Sequence, residues 1–90
     1  MVVYNTILNP YSKITEIRFK AFRTEKVKVE ILDVGGKIIK ILRKGVVYPG
    51  IHIIRWDGTD EEGKFLENGI YFINIETKDF TKTVRLILLR

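Results

Sequence analysis

The chain of ninety residues predicts an all-β domain, an antiparallel sandwich of about seven strands. Three observations carry that prediction. Apolar and polar side chains alternate with a period of two in several short stretches, which is the pattern of half-buried strands. Glycine and proline interrupt the chain at short intervals between those stretches, where turns are needed. No stretch shows a convincing helical period, and no repeat of solenoid length is present.

Size and composition agree with one small core. A chain of this length folds as a single domain and buries about 60–65% of the surface its unfolded form exposes. The hydrophobic fraction of 46% is ordinary for a globular protein. There is no cysteine, which excludes a disulfide framework and a thiolate metal site. The formal charge of +5 is unevenly distributed. Five of the eleven acidic residues (Asp57, Asp60, Glu61, Glu62 and Glu67) fall in one loop, whereas Lys82, Arg85 and Arg90 cluster at the C-terminal end. Lysine-rich surfaces usually serve solubility, so the basic balance does not by itself imply nucleic acid. Residues 1–8 do not read as a signal peptide, and the apolar run Leu86 to Leu89 is far short of a membrane span. The expectation is a domain of a longer protein, with a small intracellular protein as the alternative.

Taken in order, residues 1–8 carry V-V-Y and I-L and read as a linker or a first edge strand, closed by the break at Asn9-Pro10. Thr15, Ile17, Phe19 and Ala21 alternate with Glu16, Arg18 and Lys20 as a half-buried strand. Arg23 to Glu25 turns the chain, and Val27, Val29 and Ile31 then point inward against Lys28 and Glu30. Gly35-Gly36 supplies positive φ for a hairpin into Lys37 to Arg43. In that strand Ile38, Ile39, Ile41 and Leu42 do not alternate, which predicts either burial on both faces or a bulge. Gly45 and Pro49-Gly50 punctuate the next connection, the latter as a type II turn. Ile51 to Trp56, Gly69 to Thr77 and Phe80 to Leu89 complete the strands, with Lys78-Asp79 turning between the last two.

The stretch W-D-G-T-D-E-E-G-K-F-L-E-N-G-I-Y from Trp56 to Tyr71 is the most site-like feature of the chain. Asp57, Asp60 and Glu62 could offer oxygen ligands to calcium, but the glycine of a helix-flanked calcium loop has no counterpart at its required position. Asx-type turns, in which the aspartates accept backbone N–H groups, explain the spacing better. Trp56 and Tyr71 are expected to pin the ends of this crossover in the core, with Leu66 tucked beneath it.

Catalysis finds no support. His52 is the one histidine and alternates with Ile54 and Trp56 as a strand residue, and Ser12 is the one serine, outside any nucleophile motif. A paired-carboxylate site would need a sugar cleft that a domain this small does not offer. Tyr71, Phe72 and Phe80 read as core residues before they read as a stacking platform for single-stranded nucleic acid. Gly35-Gly36 leads into a strand, so it is not a phosphate loop. No cofactor is implied.

Four segments also occur in a fixed order: N-P-Y-S-K-I-T-E-I-R-F (Asn9 to Phe19), V-K-V-E-I-L-D-V-G-G-K (Val27 to Lys37), G-I-H-I-I-R-W-D-G-T-D-E-E-G (Gly50 to Gly63) and L-E-N-G-I-Y-F (Leu66 to Phe72). Together they resemble the FlgD-type immunoglobulin-like domain of the flagellar hook-capping protein and the related C-terminal sorting domain of type IX secretion. The signature residues are Asn9, Pro10, Gly36, Trp56, Asp57, Gly58, Asp60, Gly63, Leu66, Gly69 and Tyr71. The resemblance spans residues 9–90 and implies an immunoglobulin- or fibronectin III-like sandwich in an exported bacterial protein, secreted or at the cell surface.

What the resemblance implies about function is a non-catalytic C-terminal module that sorts or anchors its parent protein. The alternative is a structural or protein-interaction module, such as a spacer or a subunit of a surface assembly. Partners are then proteins: secretion machinery or neighbouring domains, without nucleic acid or a membrane span. The terminal strand resembles the family's last strand and makes Lys82, Arg85 and Arg90 the expected recognition residues. Its edge could also pair with another copy.

Overall fold

The computed structural model describes residues 2–3, 7–9 and 14–89, with side chains from residue 15 onward. The eight strand segments are β1 (Val2–Val3), β2 (Ile7–Asn9), β3 (Ile14–Ala21), β4 (Glu25–Leu32), β5 (Ile38–Val47), β6 (Gly50–Trp56), β7 (Gly69–Glu76) and β8 (Thr81–Leu88). Only six of these are full strands, against the seven or so expected from the alternation. β1 and β2 are two and three residues long and both pair with β3. Among the described residues there is no helix.

Two antiparallel sheets form. β3 pairs with β6 from Thr15↔Trp56 to Ala21↔Gly50. The second sheet runs β5-β4-β7-β8. The chain therefore changes sheet after β3, after β5 and after β6, and each crossing closes the sandwich. The inward rows meet as one core: Ile17, Phe19, Ala21, Ile54 and Trp56 from the first sheet, and Val27, Val29, Ile31, Val47, Ile73, Ile75, Leu86 and Leu88 from the second. The period-two alternation thus places the burial correctly on β3, β4, β6, β7 and β8.

Where β5 loses alternation, the cause is a bulge. Its register against β4 slips twice, between Val29↔Arg43 and Glu30↔Ile41 and between Ile31↔Lys40 and Leu32↔Ile38. Leu42 and Ile39 are the extra residues, and both pack against the core while Ile38 and Ile41 stay exposed.

Three expectations need correction. Gly45 does not punctuate a connection; it lies within β5, opposite Val27, because β5 continues to Val47 before crossing. Gly50 is not the third residue of a type II turn. Its φ of 133° departs from the roughly +80° such a turn requires, and it already pairs with Ala21 as the start of β6. Glu30, on the outward side of β4, is only 5% exposed. A central strand flanked by β5 and β7 is covered by neighbouring side chains even on its outer face. There Glu30 accepts a hydrogen bond from Asn74 Nδ2 at 3.4 Å and lies 3.9 Å from Lys28 Nζ.

Candidate functional surface: the acidic crossover

The crossover between β6 and β7 is held at both ends and in the middle. Trp56, 2% exposed, meets the ring of Tyr71 edge-on at a centroid distance of 5.7 Å. Its indole N–H donates to the Thr59 carbonyl at 2.9 Å. The Tyr71 hydroxyl donates to the Glu67 carbonyl at 2.7 Å, the arrangement of a tyrosine corner in immunoglobulin-like sandwiches. Leu66 packs against the core between them, and its N–H donates to the Gly58 carbonyl. The expected three apolar anchors are all in place.

The aspartates act as turn acceptors. Asp60 Oδ1 accepts from the N–H groups of Glu62 and Lys64 at 2.9 and 3.0 Å. Asp57 Oδ1 accepts from the Thr59 N–H and hydroxyl. The Thr59 hydroxyl hydrogen bond is the main cause that holds the Asp57 carboxyl below its ordinary value; burial opposes it, and the Lys40 ammonium adds a lesser lowering effect. The candidate calcium set of Asp57, Asp60 and Glu62 does not assemble. Both aspartates are turned to their own backbone, Glu62 lies 3.5 Å from Lys64, and among the described residues no three such side chains converge as ligands.

Thr59 is the residue that sequence reasoning missed. It is 4% exposed, and its hydroxyl donates to Asp57 while accepting from Lys40 Nζ at 2.7 Å. Glu61 Oε1 accepts the Ile41 N–H at 2.7 Å, next to the bulge at Leu42. The loop is thus tied across to β5 and shields that half of the sheet edge. The available signal was a threonine two residues after an aspartate that directly follows a strand.

A second missed pattern is a repeated pentapeptide. D-V-G-G-K (33–37) and D-E-E-G-K (60–64) fold identically in hydrogen-bond terms. Asp33 Oδ1 accepts from the Gly35 and Lys37 N–H groups, just as Asp60 serves Glu62 and Lys64. Gly36 and Gly63 take φ of 84° and 79°. The two turns lie side by side and, with Ile38, Ile39, Leu66 and Tyr71, border an open groove of about 500 Å³.

Other expected residues separate. His52 stacks on Phe19 at 5.2 Å and donates from Nε2 to the Tyr48 carbonyl, as a packed strand residue. Lys82 is paired with Ile75, and Arg85 with Phe72, on opposite faces of the sheet, since residues three apart on a strand point opposite ways. The cluster read from the sequence is therefore split. Gly58 and Gly69 take positive φ of 81° and 157°. Asn9 pairs with Ile14 through its backbone. Pro10, Ser12 and Arg90 lie outside the described residues.

An immunoglobulin-like sandwich with a tyrosine corner and a braced acidic crossover defines the class. Residues 15–79 match the model of the FlgD Ig-like domain, and the chain belongs to that family. It is 35% identical over 51 residues to the basal-body rod modification protein FlgD of Salmonella typhimurium, and equally to that of Salmonella typhi. The match takes in 57% of this chain and 22% of each relative, so the chain spans about a fifth of their length. In structure it resembles FlgD of P. aeruginosa, with a TM-score of 0.63 and 23% identity over 82% of this chain and 58% of that one. It also resembles PorZ, a surface component of the type IX secretion system of Porphyromonas gingivalis, with a TM-score of 0.61 and 20% identity over 99% of this chain and 11% of that one. At these identities the two structures speak to fold alone.

Proposed function

We propose that residues 9–90 are a non-catalytic C-terminal module of an exported bacterial protein, which sorts or anchors its parent at the cell surface through protein contacts. The observation that carries this reading is β8. It is an edge strand of the larger sheet, with Arg85 and Ile87 exposed on the outer face and Lys82 exposed at its start. Such an edge can be recognised by strand addition, with the side chains supplying specificity. The likeness to a domain of PorZ, a type IX secretion component, lends support from the side of fold. Lys82 and Arg85 contact a partner from two sides of the strand in this reading, and Arg90 extends the basic end. Fusing residues 9–90 to a periplasmic reporter in a host with type IX secretion tests it: export to the medium or surface is expected, and retention in the periplasm overturns it.

A second reading, a spacer or interaction module in a surface assembly, is favoured by the family itself and by the 35% identity to a basal-body protein. In that case the reporter stays in the periplasm, and the domain binds neighbouring domains of its parent. Neither reading needs a nucleophile, a base or a metal, and His52 and Ser12 are given no chemistry in either.

A further inference from the structure

The strands β4, β5 and β7 run the length of the second sheet and connect two poles of opposite charge. At one pole stands the acidic crossover. At the other, Lys26 and Lys28 of β4 and Lys44 of β5 share the outer face, and Lys78 follows β7. These four lysines, with Val27, Gly45, Glu76 and Thr77, line a groove of about 620 Å³. Lys28 is directly opposite Lys44, a like-charge cross-strand pair that disfavours the free state. Lys28 lies 3.9 Å from Glu30, whereas Lys26, Lys44 and Lys78 make no ion pair among the described residues. Gly45 leaves the groove open, since no atom lies within 4 Å of where its Cβ would stand.

The acidic pole presents the complementary charge. Phe65, 73% exposed, sits on the crossover after Glu61, Glu62 and Lys64 and before Glu67, on a stretch that is net acidic. Its backbone bridges to Thr59, and the Asp60 turn braces the residues before it. The ring is therefore displayed on a pre-organised loop, which lowers the ordering cost of a contact. An exposed aromatic on a loop of net negative charge suits a groove walled by lysine stems: the ring buries against methylenes and meets ammonium groups, while the negative charge of the loop faces the same lysines.

We propose that the acidic crossover of one copy docks, with Phe65 as its anchor, into the lysine-walled groove of a second copy. Because the two surfaces lie at opposite ends of one sheet, the contact is heterologous and can repeat from copy to copy. It does not depend on whether the module directs export.

Sedimentation of the ninety-residue chain tests this, with a groove variant (Lys26→Glu with Lys44→Glu) and a loop variant (Phe65→Ser), each checked for folding by thermal unfolding. All three side chains are exposed, so the variants should fold. The expected result is concentration-dependent association that weakens about tenfold or more between roughly 50 and 500 mM salt. Each variant alone should be monomeric, and a mixture of the two should stop at one-to-one pairs, since one intact groove and one intact loop remain. Association that survives in either variant, as pairing along β8 would, overturns the proposal. So does a wild-type chain that stays monomeric while its groove takes up a free peptide of residues 57–67, which would assign the groove to an acidic segment of another protein.

Discussion

The turns at 33–37 and 60–64 have the same D-x-x-G-K spacing, the same acceptor carboxylate and the same left-handed glycine, yet they do different work. The first closes a hairpin between neighbouring strands of one sheet, and its tip residue Val34 is 74% exposed. The second lies within a crossover between sheets, held by Trp56, Leu66 and Tyr71 and tied to β5 by Lys40 and the Ile41 N–H. Local chemistry makes the turn in both places. What the turn accomplishes depends on the anchors around it: a hairpin needs only its strands, whereas a crossover must carry buried side chains of its own.

That contrast breaks most visibly at Trp56. Replacing it with Ala removes the ring that fills the core and packs in a T-shaped contact with Tyr71, together with the donor to Thr59. A loss of about 3–5 kcal/mol in unfolding free energy is expected from denaturant titration. Val34→Ala at the hairpin tip should stay within about 0.5 kcal/mol of wild type. Similar losses for the two would show that the crossover is no more anchored than the hairpin.

The likeness of the turns is sharpened by Gly36→Ala and Gly63→Ala. No atom lies within 4 Å of either missing Cβ, so the cost is the left-handed backbone alone, about 1–2 kcal/mol at each site. Equal shifts in denaturation midpoint are expected. A much larger loss at Gly63 would mean that the crossover adds strain its hydrogen bonds do not reveal.

The smallest effect belongs to Asp57, which has no counterpart in the hairpin. Its folded carboxyl titrates below the unfolded one, so the charged form favours the folded state at pH above the unfolded value of roughly 3.9. That contribution fades as pH falls through the lower, folded value. Asp57→Asn should therefore flatten stability against pH below about 4 and leave its slope near neutrality unchanged. The carboxylate is largely exposed, so the change will be modest, and an unaltered acid limb would discount the Thr59 hydrogen bond.

Most of the fold was legible because alternation is a local property. Thr15 to Ala21 and Val27 to Ile31 announce their inner faces residue by residue, and the sheet honours them. The irregular isoleucines of β5 announced a defect, and the structure supplies two bulges. The crossover was legible through its anchors, though Thr59 was not, since its three partners come from Trp56, Asp57 and a lysine on another strand. The basic residues near the C-terminal end are a different case. Lys82 and Arg85 are neighbours in sequence, and the strand sends them to opposite faces.

By itself, then, the sequence determined the strands, the inward rows, the Asx-type turns of the crossover and the family, because each rests on residue type and short spacing. Only the tertiary structure decided that β5 continues through Gly45, that Glu30 is covered on the outer face, and which side chains brace the crossover. It also brought lysines from three segments into one groove at the far pole from the acidic loop. These outcomes depend on which strand becomes whose neighbour, and sheet order is set by the joint burial of distant rows, which no short window of sequence contains.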